Sequence, residues 1–265
     1  MINEIKRALL KKSNLVLILL IVSLMLINTY YSGWRTSLLA GSSNDFLHPE
    51  DALFFKKYYG NVFRVWKDSY YMIQALVPLI LITPYMLTYF EEKSNKFRYL
   101  MISRKGNTKY IIQKVIAIAL SGTIVLVVAE VTFALVTYVF TYHDISMEFI
   151  ENLVIYNYPF FLQHPYIYFL SILLMQTIYY FCFLVFSIGI TAFLKNKVAI
   201  IIMPFLAVGI LDMLLPISVQ PNVVMQPIVS TQYSTYGFCF LVFVYIVCGA
   251  SLIILSEHYY LKQGN

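Results

Sequence analysis

The chain has 265 residues, 60% of them apolar and only 12% charged, with a formal net charge of +6. Its mean hydropathy is +0.73. Soluble domains carry about a quarter charged residues, so this composition excludes an ordinary water-soluble globular domain and places the chain in lipid.

The amino-terminal stretch INEIKRALLKKSN, residues 2–14, sets Ile2, Ile5, Ala8 and Leu9 on one helical face and Lys6, Arg7, Lys11 and Lys12 around the other. It predicts an amphipathic helix lying in the inner membrane interface. A first apolar run, 15–31, follows without a charge. A basic start before an apolar run imitates a signal peptide, but Thr29, Tyr30, Tyr31 and Trp34 stand where a small-residue cleavage site belongs, so the run is expected to be retained.

Residues 32–69 mix DALFFKKYY and NVFRVW with four acids and five bases, and are expected to form an outer loop with helical structure of its own. A second run, 70–90, contains Pro78 and Pro84, which a spanning helix accepts only as kinks whose freed carbonyls find other partners. Residues 91–114 then carry nine charges, seven of them positive. The third run, 110–140, is longer than a bilayer needs, so it tilts or stands partly in water. Its one interior charge after Lys114 is Glu130. The stretch 145–162 reads as an outer interfacial helix, with Phe149, Ile150, Leu153 and Val154 against lipid or protein.

A fourth run, 166–194, is separated from a fifth, 198–217, by only Lys195, Asn196 and Lys197, and Asp212 lies five residues from the outer end of the fifth. The segment 216–237 is uncharged and holds Pro216, Pro221 and Pro227. Irregular apolar backbone at membrane depth persists only under a cover of protein. A sixth run occupies 237–255. Each run approaches the roughly 20 residues needed to cross about 30 Å of hydrocarbon. The reading is an all-α membrane protein of six transmembrane helices, with no internal repeat, forming a single transmembrane domain over 1–265.

Six crossings put both termini on one side. Counting Lys and Arg outside the membrane, thirteen fall on the side of the termini and five on the other, all five within 32–69. Basic loops stay in the cytoplasm, which predicts cytoplasmic termini, a cytoplasmic 91–109 loop and no need of nucleic acid to explain the positive charge. Cys182, Cys239 and Cys248 all lie inside runs, so no disulfide framework is implied.

No GxxxxGK[ST], HExxH, CxxC or GxSxG motif is present. The chain is expected to carry no ATPase site and no catalytic residues, and to bind no metal. Glu91-Glu92 begins like the EExxxR of CAAX-type intramembrane proteases, but Lys96 stands at the arginine position and His48, His143, His164 and His258 converge on no buried site. Glu130 and Asp212 are the intramembrane carboxylates, candidates for a substrate path by their cost in lipid. Glu130 is expected either to attract a cationic or amphipathic cargo or to bond a neighbouring helix through Thr132, Gln176 or a similar polar side chain. Asp212 is also open to an interfacial role.

The order of elements, with Glu91-Glu92 closing the second run, Ser103-Arg104-Lys105-Gly106, and Tyr110-Ile111-Ile112-Gln113-Lys114 opening the third, resembles the permease subunit of type-2 ABC exporters of bacteria. The resemblance covers the whole chain in outline and about 25 residues at motif level. It implies re-entrant half-helices between spans five and six, and a coupling helix at 97–102 that seats on a separate ATPase.

Within that helix Phe97, Leu100 and Met101 make an apolar face, flanked by Arg98, Tyr99 and Arg104, while Glu91, Glu92 and Gly106 hinge the loop. Anchoring of this segment to anionic lipid through Lys93, Lys96, Arg98 and Arg104 is the simpler reading. The resemblance further implies ATP and Mg on partner ATPase subunits rather than on this chain, a second permease copy or a related permease, and an amphipathic cargo such as a peptide, a lipid-like molecule or a drug. A non-transporting sensor or scaffold, with 32–69 binding a ligand, is the alternative.

Overall fold

The computed structural model describes residues 2–39, 49–94, 102–103, 106–143, 157–194, 196–225 and 233–263. Every regular element among them is helical, apart from one isolated bridge between Asn61 and Tyr142. Phe97, Arg98, Tyr99, Leu100, Met101 and Arg104 lie outside the described residues, as do Phe149, Ile150, Leu153 and Val154.

The chain opens with α1 (Ile2–Leu9), which packs on α8, and α2 (Lys12–Thr29). Through a wide turn at Tyr30–Trp34, kinked at Gly33, α2 continues into α3 (Arg35–Leu39). Next come α4 (Pro49–Tyr59), α5 (Val62–Gln74), α6 (Val77–Ile82) and α7 (Met86–Ser94). The long α8 (Asn107–Phe140) leads to α9 (Tyr158–Gln163), α10 (Pro165–Thr191), α11 (Lys197–Leu214), α12 (Pro221–Met225) and α13 (Thr235–Gln263).

Five helical stretches are long and apolar enough to cross a membrane: Lys12–Leu39, Asn107–Phe140, Pro165–Thr191, Lys197–Leu214 and Thr235–His258. They cover five of the six apolar runs, four of them to within a few residues, while the first continues eight residues past 31, to Leu39 in α3. Their outward faces carry large apolar side chains, such as Leu15, Leu19, Leu135, Val139, Leu174 and Ile210, each more than half exposed. In water such faces are unfavourable, and in hydrocarbon they are the ordinary surface of a helix. The build is that of a multi-pass membrane protein.

The run 70–90 differs from the expected kinked helix: it is three pieces, the end of α5, α6 and α7. The prolines give the reason. Pro84 has no N–H for the Ile80 carbonyl, and the Thr83 hydroxyl donates to that carbonyl instead, at 2.9 Å. At the other break the Leu76 N–H bonds back to Ile73 at 2.8 Å. Between the breaks α6 is covered by protein on α8, α10 and α11, with Val77, Pro78, Ile80, Leu81 and Ile82 all buried. Broken backbone is tolerated at membrane depth under such cover.

The core lies around α10, which packs along α13 and α8. Gly189 of α10 faces Gly249 of α13, and a Cβ built on Gly189 meets the Gly249 carbonyl oxygen at 2.8 Å. The two backbones touch, and only small residues permit it. Between α11 and α13 the uncharged segment bends back through α12, whose Pro221, Val224 and Met225 are buried. Its carbonyls are met from α10: Gln176 donates to Met225 O at 3.2 Å and the Tyr179 hydroxyl to Pro221 O at 3.5 Å.

The segment 49–74 is fastened at one end of the bundle. Gly60 and Val62 exchange backbone bonds with Tyr142 at 2.8 and 2.9 Å, and Asn61 caps α5 by accepting from the Phe63 N–H at 3.0 Å. Phe63 packs edge-on to Phe161 of α9 and stacks on Phe169 of α10, with ring centroids at 5.1 and 5.3 Å.

Candidate functional site

The charged groups flanking residues 95–105 converge. Glu92, at the end of α7, and Lys114, in the second turn of α8, are both buried, and Lys114 Nζ stands 2.7 Å from Glu92 Oε2. The same oxygen accepts from the Tyr110 hydroxyl at 3.4 Å. The other, Oε1, faces the Arg7 guanidinium of α1 at 3.6 Å. Lys114 also donates to the Tyr85 hydroxyl at 3.3 Å, with its ammonium 5.3 Å from the centre of the Tyr85 ring.

Lys11 approaches that ring from α1's side, at 5.1 Å, and donates to the Thr88 hydroxyl of α7. Partial burial first, and the neighbouring Arg7 charge second, push the Lys11 ammonium below its ordinary value. Asn14, buried at the start of α2, donates to Ala8 O at 2.7 Å and closes the α1–α2 corner. Two further ties leave this cluster. Lys197, at the start of α11, meets Glu91 at 2.7 Å, and Asn107, at the start of α8, donates to Glu257 of α13 at 3.2 Å.

Helix α8 is preceded by Gly106, whose φ of 80° and ψ of 150° lie in a region that essentially only glycine occupies. The Gly106 N–H bonds to Ile102 O at 2.8 Å. The two ends of the basic loop are therefore joined by a buried ion pair, with a glycine pivot on the α8 side. Glu91 and Glu92 are brought together here with Arg7, Lys11 and Lys114, which sequence reasoning did not place at a site, while Gly106 stands outside the cluster with no group within 4 Å of its Cβ position. The Glu92–Lys114 pairing is 22 positions apart in the chain, beyond any helical spacing, so no local pattern announces it.

The two intramembrane carboxylates are held apart from this cluster and serve different surroundings. Asp212 accepts from both the backbone N–H, at 3.0 Å, and the side-chain amide of Asn222, and its own carbonyl accepts from Gln220 at 2.7 Å. It brackets the reverse turn into α12 and does not line the cavity beside Glu130.

Glu130 is buried in α8, and its Oε1 accepts from the Tyr180 hydroxyl of α10 at 2.8 Å. The partner is neither Thr132, which donates to Val128 O of its own helix at 2.7 Å, nor Gln176, which turns to Met225. A tyrosine inside an apolar run reads as bulk, so the sequence carries no local signal that marks the Tyr180 hydroxyl as the partner of Glu130. Beside Glu130, α2, α5, α8 and α10 enclose a cavity of about 240 Å³.

No protein-family model, no curated protein and no solved structure matches the chain.

Proposed function

We propose that the chain is the membrane-spanning subunit of an ATP-driven exporter of the ABC type, driven through its 91–109 loop by separate ATPase subunits. The observation that carries this reading is the buried Glu92–Lys114 pair, which fastens the outgoing and returning ends of that loop to each other. Breaking half of a buried pair costs about 3–5 kcal/mol, so the two ends move together. A push on the loop then reaches α1 through Arg7 and Lys11, α11 through the Glu91–Lys197 tie and α13 through the Asn107–Glu257 tie. Gly106 supplies the pivot at which the loop turns relative to α8.

In this reading the broken run 70–90 is a sixth crossing, both termini and the basic loop are cytoplasmic, and α12 belongs to a re-entrant element dipping from the outer side. Phe97, Leu100 and Met101 seat in a groove on the ATPase. ATP and Mg are held by that partner. Two copies of the chain, or one with a related permease, form the pathway in a bacterial cell membrane, and lipid covers the outward apolar faces. The cargo is amphipathic, since the inner walls are apolar and aromatic with few charges.

The direct test of the coupling role is Leu100→Asp. The expected result is continued ATP hydrolysis by the assembled complex with transport lost. Transport equal to that of the parent protein removes the loop from the mechanism and favours a sensor or scaffold that uses 91–109 to hold a regulator.

A further inference from the structure

We infer that the cavity between α5, α8 and α10 binds an organic cation with an apolar body, drawn from the bilayer, with the Glu130 carboxylate as counter-ion. Three features meet in one place. The first is an unsatisfied acceptor: Glu130 is only 5% exposed, Tyr180 serves Oε1, and Oε2 has no hydrogen-bond partner among the described residues. A buried carboxylate left half-served is costly as an anion until a positive group meets it.

The second feature is the lining. Trp66, Tyr70, Tyr138, Tyr166 and Phe169 line the cavity with Glu130, and Glu130 is the one charged side chain among the described lining residues. Trp66 is fixed by donating to Thr137 at 3.0 Å and by packing on Phe169 with ring centroids 4.8 Å apart. Aromatic walls around a single carboxylate favour a weakly hydrated organic cation over a metal ion, because ring faces attract such cations, while one carboxylate and the neutral hydroxyls of Ser69 and the tyrosines fall short of the charged oxygen set a hard cation takes.

The third feature is the way in. Leu135 and Leu170 line the cavity and are 66% and 65% exposed, on faces that hydrocarbon would cover. Tyr138 and Tyr166 stand beside them at the ends of α8 and α10, with ring centroids 6.3 Å apart. Glu130 is ten residues before the end of α8, about 15 Å along the helix at 1.5 Å per residue. An amphipathic cation can therefore pass between Leu135 and Leu170 from the lipid and set its charge against Glu130. At about 240 Å³ the cavity is smaller than the roughly 300 Å³ at which drug-sized sites begin. It takes a charged end and one ring, and leaves an attached tail in the bilayer.

As a statement about cargo this rests on the exporter reading, so the test is run on the chain alone, without ATPase or transport. The chain has two tryptophans, and Trp34→Phe leaves Trp66 as the sole reporter inside the cavity. The purified protein in mild detergent is titrated with benzyltrimethylammonium and, separately, with neopentylbenzene, in which carbon replaces the charged nitrogen at the same shape.

The expected result is a saturable change in Trp66 emission with the cation, at about tenfold lower concentration than with its neutral isostere, a preference abolished by Glu130→Gln. Equal response to the two probes in the protein with its carboxylate intact overturns the inference, and needs no Glu130 variant to fold. Unaltered cation preference in Glu130→Gln overturns it as well. Either leaves an apolar lipid pocket beside a Tyr180–Glu130 helix contact. Cation binding in a chain that proves to have no ATPase partner leaves the site standing and removes only the exporter reading.

Discussion

Glu92 and Lys114 meet at 2.7 Å inside the helix bundle, one at the end of α7 and the other near the start of α8, and both are buried. The pair is served further by Tyr110, Tyr85 and Arg7. Glu92 Oε1 has no hydrogen bond among the described residues and faces only the Arg7 charge; a buried pair of this kind holds geometry more than it adds stability, and its two halves are very unequal when separated. Lys114→Met is therefore expected to destabilise the folded protein by about 3 kcal/mol, and the double change with Glu92→Gln to recover most of that loss. Thermal unfolding of the purified variants in one detergent checks it.

Glu91 and Lys197 make the opposite kind of pair, at the same 2.7 Å but about half exposed on both sides. Water and salt screen such a contact. Lys197, by hydrogen bond and charge, holds the Glu91 carboxyl below its ordinary value of 4.5. The folded state thus prefers the ionised form, so the stabilisation is present above pH 4.5 and is lost as pH falls through the lowered value. Lys197→Ala is expected to lower the melting temperature at pH 7 only slightly, far less than Lys114→Met, and to remove the part of the acid sensitivity belonging to Glu91. Melting curves from pH 3 to pH 7 for parent and variant measure the difference.

At Gly106 the backbone takes φ 80° and ψ 150°, with nothing within 4 Å of an added Cβ. Space is available, so a side chain there meets a conformational penalty rather than a clash, of order 1–3 kcal/mol for a non-glycine residue. Gly106→Val is expected to lower stability by that amount, or to turn the start of α8 into another conformation, visible as altered proteolysis at the arginines and lysines of 91–109. Stability and proteolysis equal to the parent's would show that the pivot is dispensable.

Much of the architecture was legible because lipid makes simple demands: an apolar run of about 20 residues with at most one or two charges has few solutions other than a helix. The runs at 15–31, 110–140, 166–194, 198–217 and 237–255 are helices for that reason. The run 70–90 obeyed a different rule. Its composition says span, but Pro78 and Pro84 interrupt the hydrogen-bond ladder, and whether the result is one bent helix or three depends on Thr83 and on burial beneath α8 and α11, neither of which has a local signature.

Side-chain pairing was the least legible. Glu130 stands out in the sequence, yet its partner Tyr180 is 50 positions away on another helix, and Lys114 finds Glu92 only once α7 and α8 are folded back on each other. Asp212 was legible as unusual, while its role in bracketing Asn222 depends on how the proline-rich segment bends.

The exporter reading is tested most directly by isolating the tagged chain from its native host in mild detergent, identifying the proteins that accompany it and assaying the complex for ATP hydrolysis. A stoichiometric subunit carrying a phosphate-binding GxxxxGK[ST] motif, with vanadate-sensitive turnover, is the predicted result. A chain that emerges alone and inactive from several mild detergents would contradict the account.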